Sequence, residues 1–142
     1  MSVLILAEDL DLSADEMVLA LAEREVATHR VNTAWFPSQL GIEAVLGESG
    51  WQGRLRTPRG DVELSEIRSV WYRSPAAFVF PAELSAVERQ HCYIEAKLGI
   101  GGVLLALPVQ WVNRPDLAAA ACYKPVQLAA ALRQAWLCRR PW

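Results

Sequence analysis

SVWYRSP, residues 69–75, is an apolar β-forming run that carries one cation to its end and then stops. Val70, Trp71 and Tyr72 favour a strand, and Arg73 follows them directly. Ser74-Pro75 ends it, because proline forces its predecessor out of the helical region and cannot continue a central strand. In an α/β sheet the carboxyl ends of the strands are where ligands are held. Arg73 is therefore in a position to meet an anionic group. A structural role competes with this, with Trp71 and Tyr72 in the core and Arg73 a solvated or ion-paired edge residue.

Working outward, residues 3–7 (VLILA) have the pattern of a strand buried on both faces. Glu8-Asp9-Leu10-Asp11 makes a turn, and Ser13-Ala-Asp-Glu16 has the form of a capping box. A helix is expected from about residue 14 to 25, with Met17, Val18, Leu21 and Ala22 facing the sheet. Residues 29–33 are expected to form a second parallel strand, closing a right-handed βαβ unit. The middle differs in style. Residues 41–47, 53–57 and 61–64 are short β-prone pieces separated by Glu48-Ser-Gly50 and Pro58-Arg-Gly60, which suggests a small antiparallel hairpin or meander at the sheet's edge or flank.

Beyond Pro81, Ser85-Ala-Val-Glu88 is a second capping box opening a long helix. Val87, His91, Ile94, Leu98, Gly101 or Gly102, and Leu105 recur at helical spacing and define its expected buried stripe. Gly99, Gly101 and Gly102 cost about 1 kcal/mol each relative to alanine, and predict either a close helix approach or a break. Residues 109–112 are a short strand carrying Trp111, and Asn113 is expected to cap a helix starting near Arg114-Pro115. Pro125 interrupts the alanine-rich region after Lys124 and should begin a fresh helix. The expected fold is α/β and Rossmann-like, in three layers. Its mainly parallel sheet of about four or five strands has helices on both faces and a small antiparallel hairpin extension.

With 142 residues, 53% of them hydrophobic, the chain can build one domain with a substantial core. A formal charge of −2 without a basic or acidic block argues against nucleic-acid binding. No apolar run is long enough to cross a membrane, and no basic leader precedes residue 3, so a cytoplasmic protein is expected. Cys92, Cys122 and Cys138 are odd in number and lack metal-ligand spacing, the pattern of reduced, mostly packed thiols. Six tryptophans, including those in the closing stretch LRQAWLCRRPW, are many for this length and suit cores and interfaces.

Enzyme signatures are missing from the sequence. There is neither a GxGxxG nor a Walker motif. Glu8-Asp9 resembles a metal-binding acidic pair after a first strand, but residues 50–57 supply no carboxylate and the late strand ends in Asn113. Its turn suits the dipole of the following helix instead. His29 and His91 are far apart without thiol or carboxylate spacing, and no serine stands in a nucleophile elbow. No catalytic residue and no metal ligand is assigned. Arg73 and the pair Asn113 with Lys124 remain available to a ligand, Lys124 having the simpler alternative of a lysine snorkelling at a helix break.

The stretches VLILAEDLDLSADEMVLALAERE, VNTAWFPSQL, GWQGRLRTPRGDVELSEIRSVWYRSP and WVNRPDLAAAACYKPVQLAA span most of residues 3–130. In their order and spacing they resemble the N-terminal, pre-ATP-grasp domain of microviridin-type ATP-grasp peptide maturases, ligases that crosslink side chains of ribosomally made precursor peptides. The resemblance implies a pre-ATP-grasp domain over residues 1–112 and a helical connector over 113–142 that would lead into an ATP-grasp lobe missing from this chain. It implies substrate contacts from Arg73, Tyr72 and Asn113, and a nucleotide contact from Lys124. Guanidinium forks suit phosphate and carboxylate alike. The implied partner is a ribosomal precursor peptide, with a homodimer as a further possibility. ATP and magnesium are implied for a full-length relative, with no cofactor expected in this chain, which is expected to be inactive alone. Ser74 stands where relatives often carry a second arginine, and Tyr123-Lys124-Pro125 replaces an Asn-Lys-Leu run. The competing function is a non-catalytic peptide-binding or dimerisation module of the same fold.

Overall fold

Four parallel strands form the central sheet of the computed structural model, in the order β2-β1-β6-β7. They are β1 (Ser2–Ala7), β2 (Ala27–Val31), β6 (Ile67–Ser74) and β7 (Gln110–Val112). The structure describes residues 1–133, so Trp136, Cys138, Trp142 and most of LRQAWLCRRPW lie outside it. Two compact units are present, Met1–Val112 and one beginning at Asn113.

The central position of β1 follows from its sequence. Leu4, Ile5, Leu6 and Ala7 are all buried, as a strand packed on both faces requires. Leu4 and Leu6 join Val70, Ile100, Leu104 and Leu107 in the larger core cluster, while Ile5 and Ala7 join Ala14, Val18, Leu21 and Trp71 in a smaller one. Helix α1 (Leu12–Ala22) thus covers one face and α2 (Ala86–Ala106) the other, giving the expected three layers. A second, antiparallel sheet of β3 (Gly41–Gly47), β4 (Gly50–Arg56) and β5 (Val62–Glu63) contributes Leu55 and Val62 to the larger cluster. Its outer surface is charged: Arg54 contacts both Glu43 and Asp61, and hydrogen bonding to Glu43 raises the Arg54 pKa.

Several local expectations are corrected. The N-cap of α1 is Asp11, which accepts from the Ala14 N–H at 3.1 Å, so Ser13 lies inside the first turn and forms no capping box. The helix ends at Ala22 rather than residue 25 because Glu25 turns left-handed, at φ 57°, and β2 accordingly starts two residues early at Ala27. Met17 and Ala22 are exposed, leaving Ala14, Val18 and Leu21 as the inner face of α1.

The capping box at Ser85–Glu88 is present as expected. The buried stripe of α2, however, is Ala96, Ile100 and Leu104, not the predicted one; Val87 is 80% exposed and Leu98 66%. Apolar residues occur around much of this helix, so periodicity alone does not select the side that faces the sheet. Gly99, Gly101 and Gly102 neither break α2 nor permit a close contact, since a Cβ at each would meet nothing within 4 Å. Trp71 and Tyr72 are half-buried rather than fully enclosed, and Cys122 is exposed rather than packed.

In the second unit, α3 (Pro115–Ala121) has Arg114 as N-cap and proline at its first position. Asn113 does not cap it. At φ 60°, a region that asparagine tolerates better than most residues, Asn113 instead makes the turn before it. Helix α4 (Lys124–Arg133) begins with Lys124 and Pro125, as proline's restriction predicts. Among the described residues no helix is long and apolar enough to cross a membrane.

Candidate functional site

The strand order reverses between β1 and β6: the chain leaves β1 toward β2 on one side and returns on the other. Such a switch point opens a crevice beyond the carboxyl ends of the two strands, which is where open α/β sheets bind ligands. Here the Glu8 N–H donates to the Ser74 carbonyl at 3.0 Å, joining the two strand ends. Arg73 stands at this rim. Its Nε lies 3.4 Å from Asp11 Oδ2 and its Nη2 donates to Ser13 Oγ at 3.4 Å. The Arg73 side chain retains 39% of its exposure, whereas that of Asp11 retains only 10%. Asp11 is thus a fixed acceptor at the start of α1, and Arg73 is the outer, solvent-facing partner.

The rest of the rim is polar and internally bonded. Asn32, buried at the end of β2, donates from Nδ2 to Asp9 Oδ2 at 2.7 Å and accepts from the Ala34 N–H at 3.0 Å. Thr33 donates to the Ala76 carbonyl, fixing the segment that follows Pro75. Arg59 approaches Asp9 at 3.6 Å and lies over the Trp35 ring, 5.1 Å from its centroid. Sequence reasoning does not identify Asp11, Asn32 or Arg59 as rim residues. The available signal is the Asp11-Leu-Ser-Ala14 start of a helix, where aspartate competes with serine for the cap.

The predicted site residues are not all gathered here. Tyr72 precedes Arg73 and so points to the opposite face of β6, where its ring packs against the larger core cluster. Asn113 and Lys124 belong to the second unit, where both are exposed and Lys124 Nζ donates to Gln127 Oε1 at 3.1 Å. Among the described residues no group of three or more histidine, cysteine, aspartate or glutamate side chains could hold a metal ion. Among the rim residues described above, Arg73 is a cation turned toward solvent, and its Asp11 and Ser13 contacts leave part of the guanidinium open.

A separate apolar groove of about 600 Å³ is lined by Trp51, Phe80, Cys92, Ala96 and Ile100 among others. Beside it, Phe36, Phe78, Phe80 and Tyr93 stack edge to face or tilted, with centroids 5.5 to 6.3 Å apart.

Comparison with solved structures finds the same fold at low identity. The macrocyclase MdnC from Microcystis aeruginosa, solved with the precursor peptide MdnA, has a TM-score of 0.84 and 24% identity over 94% of this chain and 44% of its own. The macrocyclase MdnB from the same species has a TM-score of 0.82 and 21% identity, covering 93% of this chain and 44% of its own. A RiPP-associated ATP-grasp ligase from Chryseobacterium gregarium, solved with ADP and a leader and core peptide, has a TM-score of 0.82 and 21% identity, covering 94% and 41%. This chain thus spans less than half the length of each of these proteins. No curated protein matches it in sequence. Residues 2–118 match the model of the MvdD pre-ATP grasp domain, and the chain belongs to that family.

Proposed function

We propose that this chain is the substrate-side, pre-ATP-grasp domain of an ATP-dependent ligase that crosslinks ribosomal precursor peptides. The observation that carries the reading is Arg73, a solvent-facing guanidinium at the switch-point crevice of a pre-ATP-grasp fold. Such ligases activate a carboxylate with ATP and magnesium before a hydroxyl or amine attacks it. This domain would contribute a site for an acidic side chain of the peptide, since a planar guanidinium presents parallel donors to a carboxylate. Asp11 and Ser13 hold Arg73 in place while leaving part of its fork open to solvent.

In this reading the second unit is the connector toward an ATP-grasp lobe, with Lys124 near the nucleotide and Asn113 shaping the turn. Tyr72 supports the strand that presents Arg73. The catalytic step belongs to the ATP-grasp lobes, and the domain alone recognises peptide without turning over ATP. The protein that carries it would work in the cytoplasm.

Isothermal titration of the chain tests this. Heat on adding a precursor-type peptide containing aspartate and glutamate is expected, with none on adding Mg-ATP. Heat with Mg-ATP and none with the peptide would overturn the assignment of the domain to the peptide side.

A further inference from the structure

A second cavity, of about 390 Å³, lies between α1, β2 and the Thr57–Val62 segment and shares Arg59 with the strand-end rim. Its polar wall is made by Arg30, Arg59 and His29, and its apolar wall by Val18, Leu19 and Val62. The Arg30 side chain is only 9% exposed. One terminal nitrogen is held by Asp15 and the other by the Glu8 carbonyl, while the buried Nε–H has no acceptor. Arg59 is 56% exposed and uses its five donors on only one long contact, 3.6 Å to Asp9, while its plane lies over Trp35.

The hydroxyls of the cavity are already committed. Thr28 donates to the Val26 carbonyl, and Thr57 donates to the Gly60 carbonyl while accepting from the Arg59 N–H. The charged neighbours, Asp15 and Asp9, are each paired with an arginine. What the cavity wall holds in surplus is donors on the Arg59 fork, which is open to solvent. Arg30 is spent on Asp15 and the Glu8 carbonyl and its Nε–H is too enclosed for a ligand to reach, so the open fork of Arg59 is the donor a ligand would meet.

We infer that this cavity binds a carboxylate attached to an aliphatic group, the carboxylate accepting from the Arg59 fork and the aliphatic group packing on Val18, Leu19 and Val62. A flat carboxylate matches the guanidinium fork, and the apolar wall selects against bare inorganic anions. Two sources share this chemistry: a peptide chain end terminating in a branched aliphatic residue, and a free branched-chain acid.

Titration of the full chain, followed by amide chemical shifts, tests the inference with four probes: an N-acetylated tetrapeptide ending in leucine, its C-terminal amide, 4-methylpentanoate and inorganic phosphate. The tetrapeptide acid is expected to shift residues of β2 and the Thr57–Val62 segment, and the amide to bind about tenfold more weakly or worse. 4-Methylpentanoate binding as tightly as the tetrapeptide would identify the free acid as the source; weaker binding would identify the chain end. Arg59→Gln should lose about tenfold in affinity for the acid, with Arg59→Lys recovering part of it. Leu19→Asp, an exposed change at the cavity wall, should weaken the acid by like-charge repulsion without unfolding the chain. Equal binding of acid and amide, an unaffected Arg59→Gln variant, or phosphate binding as well as the acids would overturn the inference.

Discussion

Asp11 holds Arg73 with one carboxylate oxygen and caps α1 with the other: Oδ2 lies 3.4 Å from Arg73 Nε, and Oδ1 accepts the Ala14 N–H at 3.1 Å. One side chain therefore fixes both the start of the helix and the cation at the crevice. The two roles separate by mutation. Asp11→Asn retains an oxygen for the cap and removes the competing charge, so an acidic peptide should bind about two- to fivefold more tightly. Asp11→Ala removes the cap as well and should cost about 1 kcal/mol. Calorimetric titration and thermal melts of the two variants check this pair of outcomes.

Trp71 lies on the α1 side of β6, packed with Ile5, Ala7 and Ala14 but only partly buried. A fully buried tryptophan replaced by alanine costs about 3–5 kcal/mol, so Trp71→Ala should cost roughly 2 kcal/mol. Urea unfolding followed by circular dichroism measures it. A loss below about 1 kcal/mol would show that the ring contributes little to the smaller cluster.

Gly53 supports the antiparallel sheet by its backbone alone. At φ +127° it adopts a conformation that side-chain-bearing residues rarely reach, and a Cβ there would meet the Glu43 carbonyl oxygen at 2.0 Å. Gly53→Ala should destabilise the chain by more than about 2 kcal/mol. Gly47→Ala in the adjacent strand, where a Cβ meets nothing within 4 Å, should be close to neutral. Comparable midpoints for the two variants in chemical denaturation would contradict the hairpin geometry.

The start of α2 should weaken in acid. The Ser85 hydroxyl, and then the Ser85 backbone N–H, hold the Glu88 carboxyl below the usual carboxylate range. Because the folded-state pKa is depressed, this contribution is complete above the unfolded value of about 4.3 and is lost as pH falls through the lower folded value. Protection factors of amides at the start of α2, corrected for the pH dependence of intrinsic exchange, should therefore fall between about pH 5 and pH 3. Glu88→Gln should remove most of that dependence, whereas an unchanged profile would show that the box contributes no pH-linked stability.

The layers of this fold are readable in the chain because they depend on strong local signals. VLILA has no polar position and must be buried on both faces, and Pro75 ends the strand that carries Val70. Ser85 and Glu88 define the α2 start for the same reason, two side chains satisfying each other's neighbouring donors. The signals that fail are those with two equivalent solutions. Asp11 and Ser13 both suit an N-cap, and tertiary pairing of Asp11 with Arg73 favours the former. The alternative stripes of α2 are both apolar, and only the sheet beneath decides between them. Arg73 is legible as a strand-end cation, but its neighbours Asp9, Asn32 and Arg59 come from turns more than 10 residues away, and no local pattern joins them.

Replacement of Arg73 tests the central claim most directly. Arg73→Ala should lower thermal stability only slightly, because the lost ion pair is partly exposed and contributes under about 1 kcal/mol. In isothermal titration with the acidic precursor-type peptide, the same variant should lose about tenfold or more in affinity relative to the unmodified chain. Unchanged affinity, or a fall in affinity matched by a large fall in melting temperature, would make Arg73 a structural ion pair and contradict the account.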